Sequence, residues 1–575
     1  MSWNLKEKQQ QILAAERGAM VYAPGSRTGF ALAYPNTYHV GMSNLGYHII
    51  YQQVNSRGDT ACERIFLPDK KTMQEYLRTN TPLLTLETQR PLSDFPLIGI
   101  ALTYEMDYFH LLDLLSLGRI PLVAAERGED DPLVILGGPC ATFNPEPMAA
   151  FVDVCIIGEG EEVIHELLDV YYESRGKCLS RRDMLLAFAG IEGLYVPSLY
   201  DHAYDEDGRM AGITAMAGAP RQVRRRWVAD LDSYPAQTVV VAKDTEFKDM
   251  YLMEVARGCG RHCRFCMAGY CYRRPRARSL ADLCEAVDKA AQLGCKPGLM
   301  GAAISDYPYI DELCQYIRER RTGLSVASLR ADSVSPVLLA ALAESGQRTV
   351  TLAPEAASER MRLSINKGIY DEHLLSAIDM AVGAGISHVR LYIMIGLPRE
   401  TEADVKAIVA LALRVKQHME QRGSKGRLTL SINPFIPKPF TPFQWEPMAD
   451  MKTVEQRLDS IRKALKGCKN VEVLAEHTRE AYVQGILARG DRRLADVLLA
   501  AHRQGGFKGW KKAVKDLGVD EDCYLYRHRA LDEVLPWQTL DMGFDVKYLK
   551  DELARASELK ETPACTPNCR RCGVC

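Results

Sequence analysis

The sequence predicts an α/β chain in two sheet-based parts. A doubly wound parallel sheet comes first, and a partial (β/α)6 TIM barrel follows, with a mainly helical segment and a cysteine-rich tail at the end. Two observations predict it. Short apolar runs closing on glycine or proline alternate with helical spacings between about residues 24 and 180, and a second alternation of six strand–helix repeats begins near residue 248. Strands alternating with helices of this length argue for parallel sheets. Eight such repeats make a closed barrel, so six imply an open one. The expected division is 1–180 for the doubly wound domain and 181–247 for a connecting segment with a few strands. The partial barrel then takes 248–450 and the helical domain with its tail 451–575.

The elements follow in order. FALAYP, LIGIAL, PLVILGG and VDVCIIG read as strands, with helices over residues 42–55, 107–119 and 158–173. In the barrel the strands are YLMEVARG, GLMGAAIS, LSVASLR, RTVTLAPE, HVRLYIMIGLP and RLTLSINPFIPKP, each followed by an amphipathic run. Ligands on such sheets sit beyond the carboxyl ends of the strands. The informative segments are therefore the loops that follow strands.

Composition excludes several classes. The 575 residues are 47% hydrophobic and 25% charged, which is globular rather than disordered. The 72 basic and 74 acidic residues nearly cancel, so a general nucleic-acid coat is not expected. There is no run of 18 uncharged apolar residues and no secretory-type N-terminus, so no membrane association and a cytoplasmic, reducing location are expected. There, grouped cysteines suggest metal before disulfides. Of 17 cysteines, ten are scattered and read as small buried hydrophobes, and seven fall in two groups.

The first group is ARGCGRHCRFCMAGYCYRRPRARS, a C-x3-C-x2-C of Cys259, Cys263 and Cys266 in the loop after the first barrel strand. Three thiolates so spaced can hold three irons of a 4Fe-4S cluster and leave the fourth open. A structural zinc wants four ligands and would need His262, inside the motif.

With an aromatic residue, Phe265, before the last cysteine and a six-repeat barrel around it, this motif resembles the radical SAM superfamily. The resemblance implies that S-adenosylmethionine chelates the open iron and is reductively cleaved to a 5'-deoxyadenosyl radical. It places candidate S-adenosylmethionine contacts at Phe265, at Ser305, Asp306 and Tyr307 after strand two, and at Ser328 and Arg330 after strand three. Glu355 after strand four and Gly396 after strand five complete the set. AAISDYP departs from the family's usual Gly-Gly-Glu-like stretch. Helix capping by Glu355 and ion pairing by Arg330 are the plain structural alternatives. An electron donor such as flavodoxin or ferredoxin is implied as partner.

The N-terminal domain, with YPNTYHVGMSNLG, GGPCATFNPEP and FVDVCIIGEGEE, resembles the cobalamin-binding, Rossmann-like domain of one radical SAM class. The closest group within it is bacterial and shares the CGVC tail. That implies cobalamin near Gly41, Ser43, Gly137, Gly138, Pro139, Gly158, Glu159 and Gly160. The D-x-H-x-x-G that puts a histidine on cobalt is absent: the D-x-H at Asp371–His373 lacks the glycine and falls in a barrel helix. Either cobalamin binds without a protein histidine or the domain has lost it. His39 and His48 are not expected to ligate cobalt.

The second group, ACTPNCRRCGVC, gives Cys565, Cys569, Cys572 and Cys575 as ligands of a second iron–sulfur cluster or a zinc ion. Arginines 224–226 and Arg273, Arg274, Arg276 and Arg278 offer a basic mouth for RNA or phosphate, with salt bridges the plainer reading. INPFIPKPFTPFQWEP reads as wall packing or an RNA-type contact, and LARGDRRLADVL as an amphipathic helix with a charged face. The leading expectation is a cobalamin-dependent C-methyltransferase. The alternatives are methylthiolation or another radical modification aided by the tail cluster, and a non-catalytic cobalamin or redox sensor. Small molecule, peptide and RNA all remain open as substrate.

Overall fold

The computed structural model describes residues 2–566 and 569–574, so Met1, Pro567, Asn568 and Cys575 lie outside the described residues. The chain forms two compact units: Met1–Asp249 with Leu487–Glu521 and Asp532–Gly543, and Met250–Ile486 with Asp522–Leu531 and Phe544–Cys575.

The first unit is built on a six-stranded sheet of β1 (Thr28–Tyr34), β2 (Thr60–Phe66), β3 (Leu97–Ala101), β4 (Leu133–Gly137), β5 (Val154–Ile156) and β6 (Leu194–Tyr195). The order is β2-β1-β3-β4-β5-β6, parallel except for β6. Phe30, Ala31, Leu32 and Ala33 of β1 are all buried, as expected of a strand covered on both faces. Helix Leu45–Asn55 starts where the Asn44 side chain accepts from Tyr47 N, and it buries Ile49, Tyr51 and Val54. Helix Asp107–Leu117 buries Tyr108, Phe109, Leu111, Leu112, Leu114 and Leu115. The order reverses between β1 and β3, which is the switch point where doubly wound sheets take ligands.

Two elements of this unit come from far along the chain. The expected amphipathic helix at 487–498 is broken in two: helix Thr478–Arg489 ends inside it and helix Leu494–Arg503 begins after a turn, with Arg489 and Asp491 buried at the break. Asn144 Nδ2 donates to the carbonyls of Ala488 (3.0 Å) and Gly490 (2.8 Å), and Arg492 Nε donates to buried Glu146 (3.0 Å). Phe109 then packs edge-on against Phe507 and Trp510. In the connecting segment, Tyr200–Tyr204 pairs with Met210–Ala215, and Val223–Arg224 pairs with Leu540–Asp541.

The second unit contains six parallel strands in βα order: Met250–Glu254, Lys296–Met300, Ser325–Val326, Thr349–Glu355, His388–Ile395 and Leu428–Pro434. A seventh, Val471–Ala475, adds to the last of these. The first three form one sheet and the last four another, joined by a single bridge from Leu329 to Leu352. Burial alternates strictly along Thr349–Glu355 and His388–Ile395, so one face is core and the other lines the barrel. Phe435 and Phe443 of the Pro-aromatic stretch pack with Met361, Ile365 and Leu397, which makes that stretch barrel wall.

The clamp on residues 487–521 gives a testable consequence. Asn144→Ala deprives two buried carbonyls of their donor, at a cost of about 1–3 kcal/mol. Cleavage by trypsin within 487–521 should become faster, with cleavage within 250–486 unchanged. Equal rates at 487–521 in both proteins would show that Asn144 does not hold this segment.

Candidate active site: the cluster loop and its surroundings

The loop of residues 258–275 leaves the end of the first barrel strand. A short antiparallel pairing of Ala256–Arg257 with Arg276–Ala277 closes its base. Gly258 has φ +80°, and a Cβ there would lie 2.2 Å from the Tyr272 carbonyl oxygen, so the loop closes only over glycine. Within it, Cys266 N donates to Cys263 O (3.1 Å) and Gly269 N to Cys266 O (3.1 Å). These turns bring the three thiols together. Burial, then the neighbouring Cys263 and Cys259 thiols, push Cys266 up to about 12, and Cys259 is raised by burial and Cys263. Thiols that repel one another's charge in this way are poised for a cationic cluster, which reverses the effect. Among the described residues, no three His, Cys, Asp or Glu side chains are drawn in as tightly as ligands of a single ion. Three cysteines spaced C-x3-C-x2-C are the donor set of a cluster that takes one thiolate on each of three irons.

The loop is anchored by its own arginines. Arg264 is fully buried and donates to Leu363 O and Ser364 O (both 2.9 Å), to Lys560 O (2.6 Å) and to Glu552 (3.1 Å). It therefore caps the last carbonyls of helix Glu359–Ser364. Arg261 grips Asp306 with two hydrogen bonds (2.6 and 2.8 Å) and reaches Asp332 (3.0 Å). Arg330 donates to the other oxygen of Asp332 (3.0 Å) and to Lys367 O (2.9 Å). Arg261, Asp332, Lys367 and Arg264 were not singled out from sequence. The two arginines inside the cysteine motif were the one local signal.

The residues proposed from sequence for S-adenosylmethionine are placed as follows. Ser305 is buried, accepts from Arg330 N (3.3 Å) and bonds Ser333 Oγ (2.9 Å). The Asp306 carboxylate is committed to Arg261, which outweighs burial and holds it below the usual range. Tyr307 is buried and donates to Arg278 O (3.1 Å). Ser328 is half-buried just past strand three. Glu355 ends strand four at φ +63° and pairs with Lys367 (3.3 Å). Burial raises its carboxyl against the pull of Lys367 and Arg330. Arg330 interacts with Cys263 and Lys367 with Cys266, so both cations lie beside the thiols. Phe265 packs on the wall formed by Phe435 and Phe443. Gly396 stands apart from this network: its N–H donates to Glu400 (2.8 Å), whose carboxyl burial pushes up to about 7.

Three described tail cysteines also belong to this unit, while Cys575 lies outside the described residues. Cys565 N donates to Gly260 O (2.8 Å), and Asn366 donates to His262 O (3.1 Å) and Thr562 O (3.0 Å). The tail is thus stitched to the cluster loop itself.

In the N-terminal unit, Gly41 and Ser43 follow β1, Gly137, Gly138 and Pro139 follow β4, and Gly158, Glu159 and Gly160 follow β5. Ser43 Oγ accepts from Glu246 N (2.9 Å). The β5 loop is covered by residues 225–228: a Cβ on Gly158 would meet Arg226 O at 2.1 Å, and Glu159 accepts from Val228 N (2.8 Å). His48 is buried, bonded at both ring nitrogens and pushed down to about 4 by burial. His39 pairs with Asp244 and Glu246, and His110 with Asp107. The arginine runs divide: Arg225, Arg273 and Arg278 are buried, Arg226 pairs with Glu162 and Glu166, and Arg224 and Arg274 are exposed. No described helix is long and apolar enough to cross a membrane.

The anchoring of the loop by Arg264 can be measured. Arg264→Lys loses the forked contacts to two chain segments. Retention of reconstituted iron against a chelator should fall by roughly tenfold. Unaltered retention would refute this role.

Two family models match the chain. "Radical SAM proteins, N-terminal" spans residues 46–197, and "Radical SAM superfamily" spans residues 253–412, beginning in the strand that feeds the cluster loop. An uncharacterised protein of Methanocaldococcus jannaschii is 29% identical over 81% of this chain and 90% of its own length. A protein of Pyrococcus horikoshii named as an uncharacterised methyltransferase is 24% identical over 56% of this chain and 65% of its own. Among solved structures, the radical S-adenosylmethionine methyltransferase TsrM from Kitasatospora setae aligns with a TM-score of 0.45 at 16% identity, covering 71% of this chain and 72% of that one. The cobalamin-dependent S-adenosylmethionine radical enzyme OxsB aligns with a TM-score of 0.49 at 12% identity, covering 86% and 71%. Both family models are radical SAM models, and together they span more than half of the residues. With three convergent thiols on the loop after the first barrel strand, the chain belongs to the radical SAM superfamily, an enzyme superfamily whose cofactors are a 4Fe-4S cluster and S-adenosylmethionine.

Proposed function

We propose that this radical SAM enzyme is a cobalamin-dependent methyltransferase acting on an unreactive carbon. The observation that carries the reading is the N-terminal parallel sheet in the order β2-β1-β3-β4-β5, with its ligand-binding switch point between β1 and β3. The name of the Pyrococcus horikoshii relative agrees with methyl transfer. Cobalamin would supply a transferable methyl group, and the cluster with S-adenosylmethionine a one-electron route to a carbon radical.

The chain's own residues do the holding. Cys259, Cys263 and Cys266 take three irons and leave the fourth without a protein ligand. Arg330 and Lys367 stand beside those thiols and offset their negative charge. Glu355 presents a carboxylate at the end of strand four, oriented by Lys367, suited to a ribose hydroxyl or an ammonium. Phe265 and Met394, on the apolar wall, help keep water from this side of the loop. At the sheet, Gly41, Ser43, Gly137, Gly138 and Pro139 would border the corrin. His39, His48 and His110 are already paired, so cobalt would bind without an imidazole from the protein.

The decisive experiment is anaerobic reconstitution with iron, sulfide and cobalamin. About one cobalamin per chain is expected, together with 5'-deoxyadenosine and S-adenosylhomocysteine from S-adenosylmethionine. Protein that never takes up cobalamin ends the methyl-transfer reading. In 15N-histidine protein the Co(II) electron paramagnetic resonance spectrum should equal that of the 14N form; a changed hyperfine pattern would place a histidine on cobalt. Separately, Glu355→Gln should raise the KM for S-adenosylmethionine roughly tenfold, as expected when one buried polar contact worth about 1–3 kcal/mol is weakened, with iron content intact. An unchanged KM would remove Glu355 from the binding site.

A further inference from the structure

His262 lies between the first two cysteines of the cluster motif, yet its ring faces the tail. It is fully buried, with φ +58°. Nε2 is 3.1 Å from Cys565 Sγ. At the other nitrogen, Arg273 NH1 lies 3.0 Å from Nδ1, nearer than its 3.5 Å to Nε2, and the Tyr548 hydroxyl bonds Nδ1 as well. A guanidinium donates and never accepts, so Nδ1 is the acceptor. The ring proton is therefore on Nε2, directed at sulfur.

The sulfur it reaches belongs to a group. Cys569 and Cys572 both lie near enough to Cys565 to act on it electrostatically. Cys572 is buried, and its carbonyl accepts from Asp545 N (3.1 Å). Arg273 NH1 lies 3.9 Å from Cys565 Sγ and also acts on Cys572, so the same cation serves two of the three cysteines. Cysteine sulfurs that share a buried N–H donor and a buried guanidinium have the surroundings of ligand sulfurs in a metal site.

We propose that Cys565, Cys569 and Cys572 hold a second thiolate-bound metal centre, an iron–sulfur cluster or zinc, against residues 260–262 of the cluster loop, and that His262 positions its Cys565 ligand by donating Nε2–H to the sulfur. His262 is not itself the ligand, because metal on Nε2 would require the proton to move to a nitrogen already facing Arg273. One five-residue stretch, Cys259–Cys263, then serves both centres: its cysteines face the first and its histidine the second.

The test does not depend on the methyltransferase reading. In the full-length Cys259→Ala, Cys263→Ala, Cys266→Ala variant the first centre and the cleavage of S-adenosylmethionine are removed. After anaerobic incubation with iron, sulfide and zinc, this variant should retain one centre per chain, and metal and sulfide counts decide between cluster and zinc. Adding Cys565→Ala and Cys569→Ala should abolish it. Adding His262→Ala should weaken retention against a chelator by roughly 10- to 100-fold, and His262→Gln, which keeps an N–H donor, should recover most of the loss. Arg273→Gln, which leaves the imidazole in place, should weaken retention in the same direction and covers the case in which His262→Ala does not fold. A variant lacking the first three cysteines that binds no metal, or retention indifferent to His262 and Arg273, overturns the proposal.

Discussion

Three thiols must meet on one short loop, and that loop has little apolar core of its own. Its buried side chains include Arg264 and Arg273, each with almost no exposed surface. A guanidinium taken out of water without partners costs several kcal/mol, so its partners are obligatory. Much of the second unit follows from meeting that demand. The end of helix Glu359–Ser364 gives carbonyls to Arg264, and Glu552 supplies the opposing charge. Asp306 and Asp332, from the ends of strands two and three, meet Arg261. The loop is thus held by charges brought to it from the barrel's strand ends and from the chain beyond residue 545.

The same economy explains Lys367 and Arg330. Both stand near the cysteines, and both are oriented by other groups: Lys367 by Glu355, and Arg330 by Asp332 and the Lys367 carbonyl. Cations fixed in this way balance the charge of a thiolate-bound cluster without having to reorganise. In the first unit the polar groups do a different job. Asn144, Glu146 and Arg492 use their hydrogen bonds to bind a distant segment to the sheet domain.

Much of the fold was legible because its signals are local. Period-two burial in RTVTLAPE and HVRLYIMI and helical spacing between them are properties of runs a few residues long. The seventh barrel strand was not legible: VEVLA is short, only half-buried and beyond the last clear repeat, and its pairing with Leu428–Pro434 makes it a strand. LARGDRRLADVL misled for the opposite reason. Its charges suggest a solvated face, but Arg489 and Asp491 are internal, and Asp491 pairs with Arg493 two residues on. Within the arginine runs the salt-bridge reading holds for Arg226, which pairs with Glu162 and Glu166, and for Arg278, which pairs with Glu254.

By itself, the sequence determined the alternating architecture and the cluster motif, because strand periodicity and C-x3-C-x2-C spacing are set by neighbouring residues along one backbone. It also named Glu355 and Arg330 by their positions at strand ends. Only the tertiary structure decided that Asp306 belongs to Arg261, that Lys367 faces the thiols, and that His262 points away from the cysteines beside it. Cys565 is separated from His262 by 303 positions in the chain. Their meeting depends on how helix Val546–Ser557 and the irregular segment that follows it pack, and no local spacing encodes a contact whose geometry is set by packing.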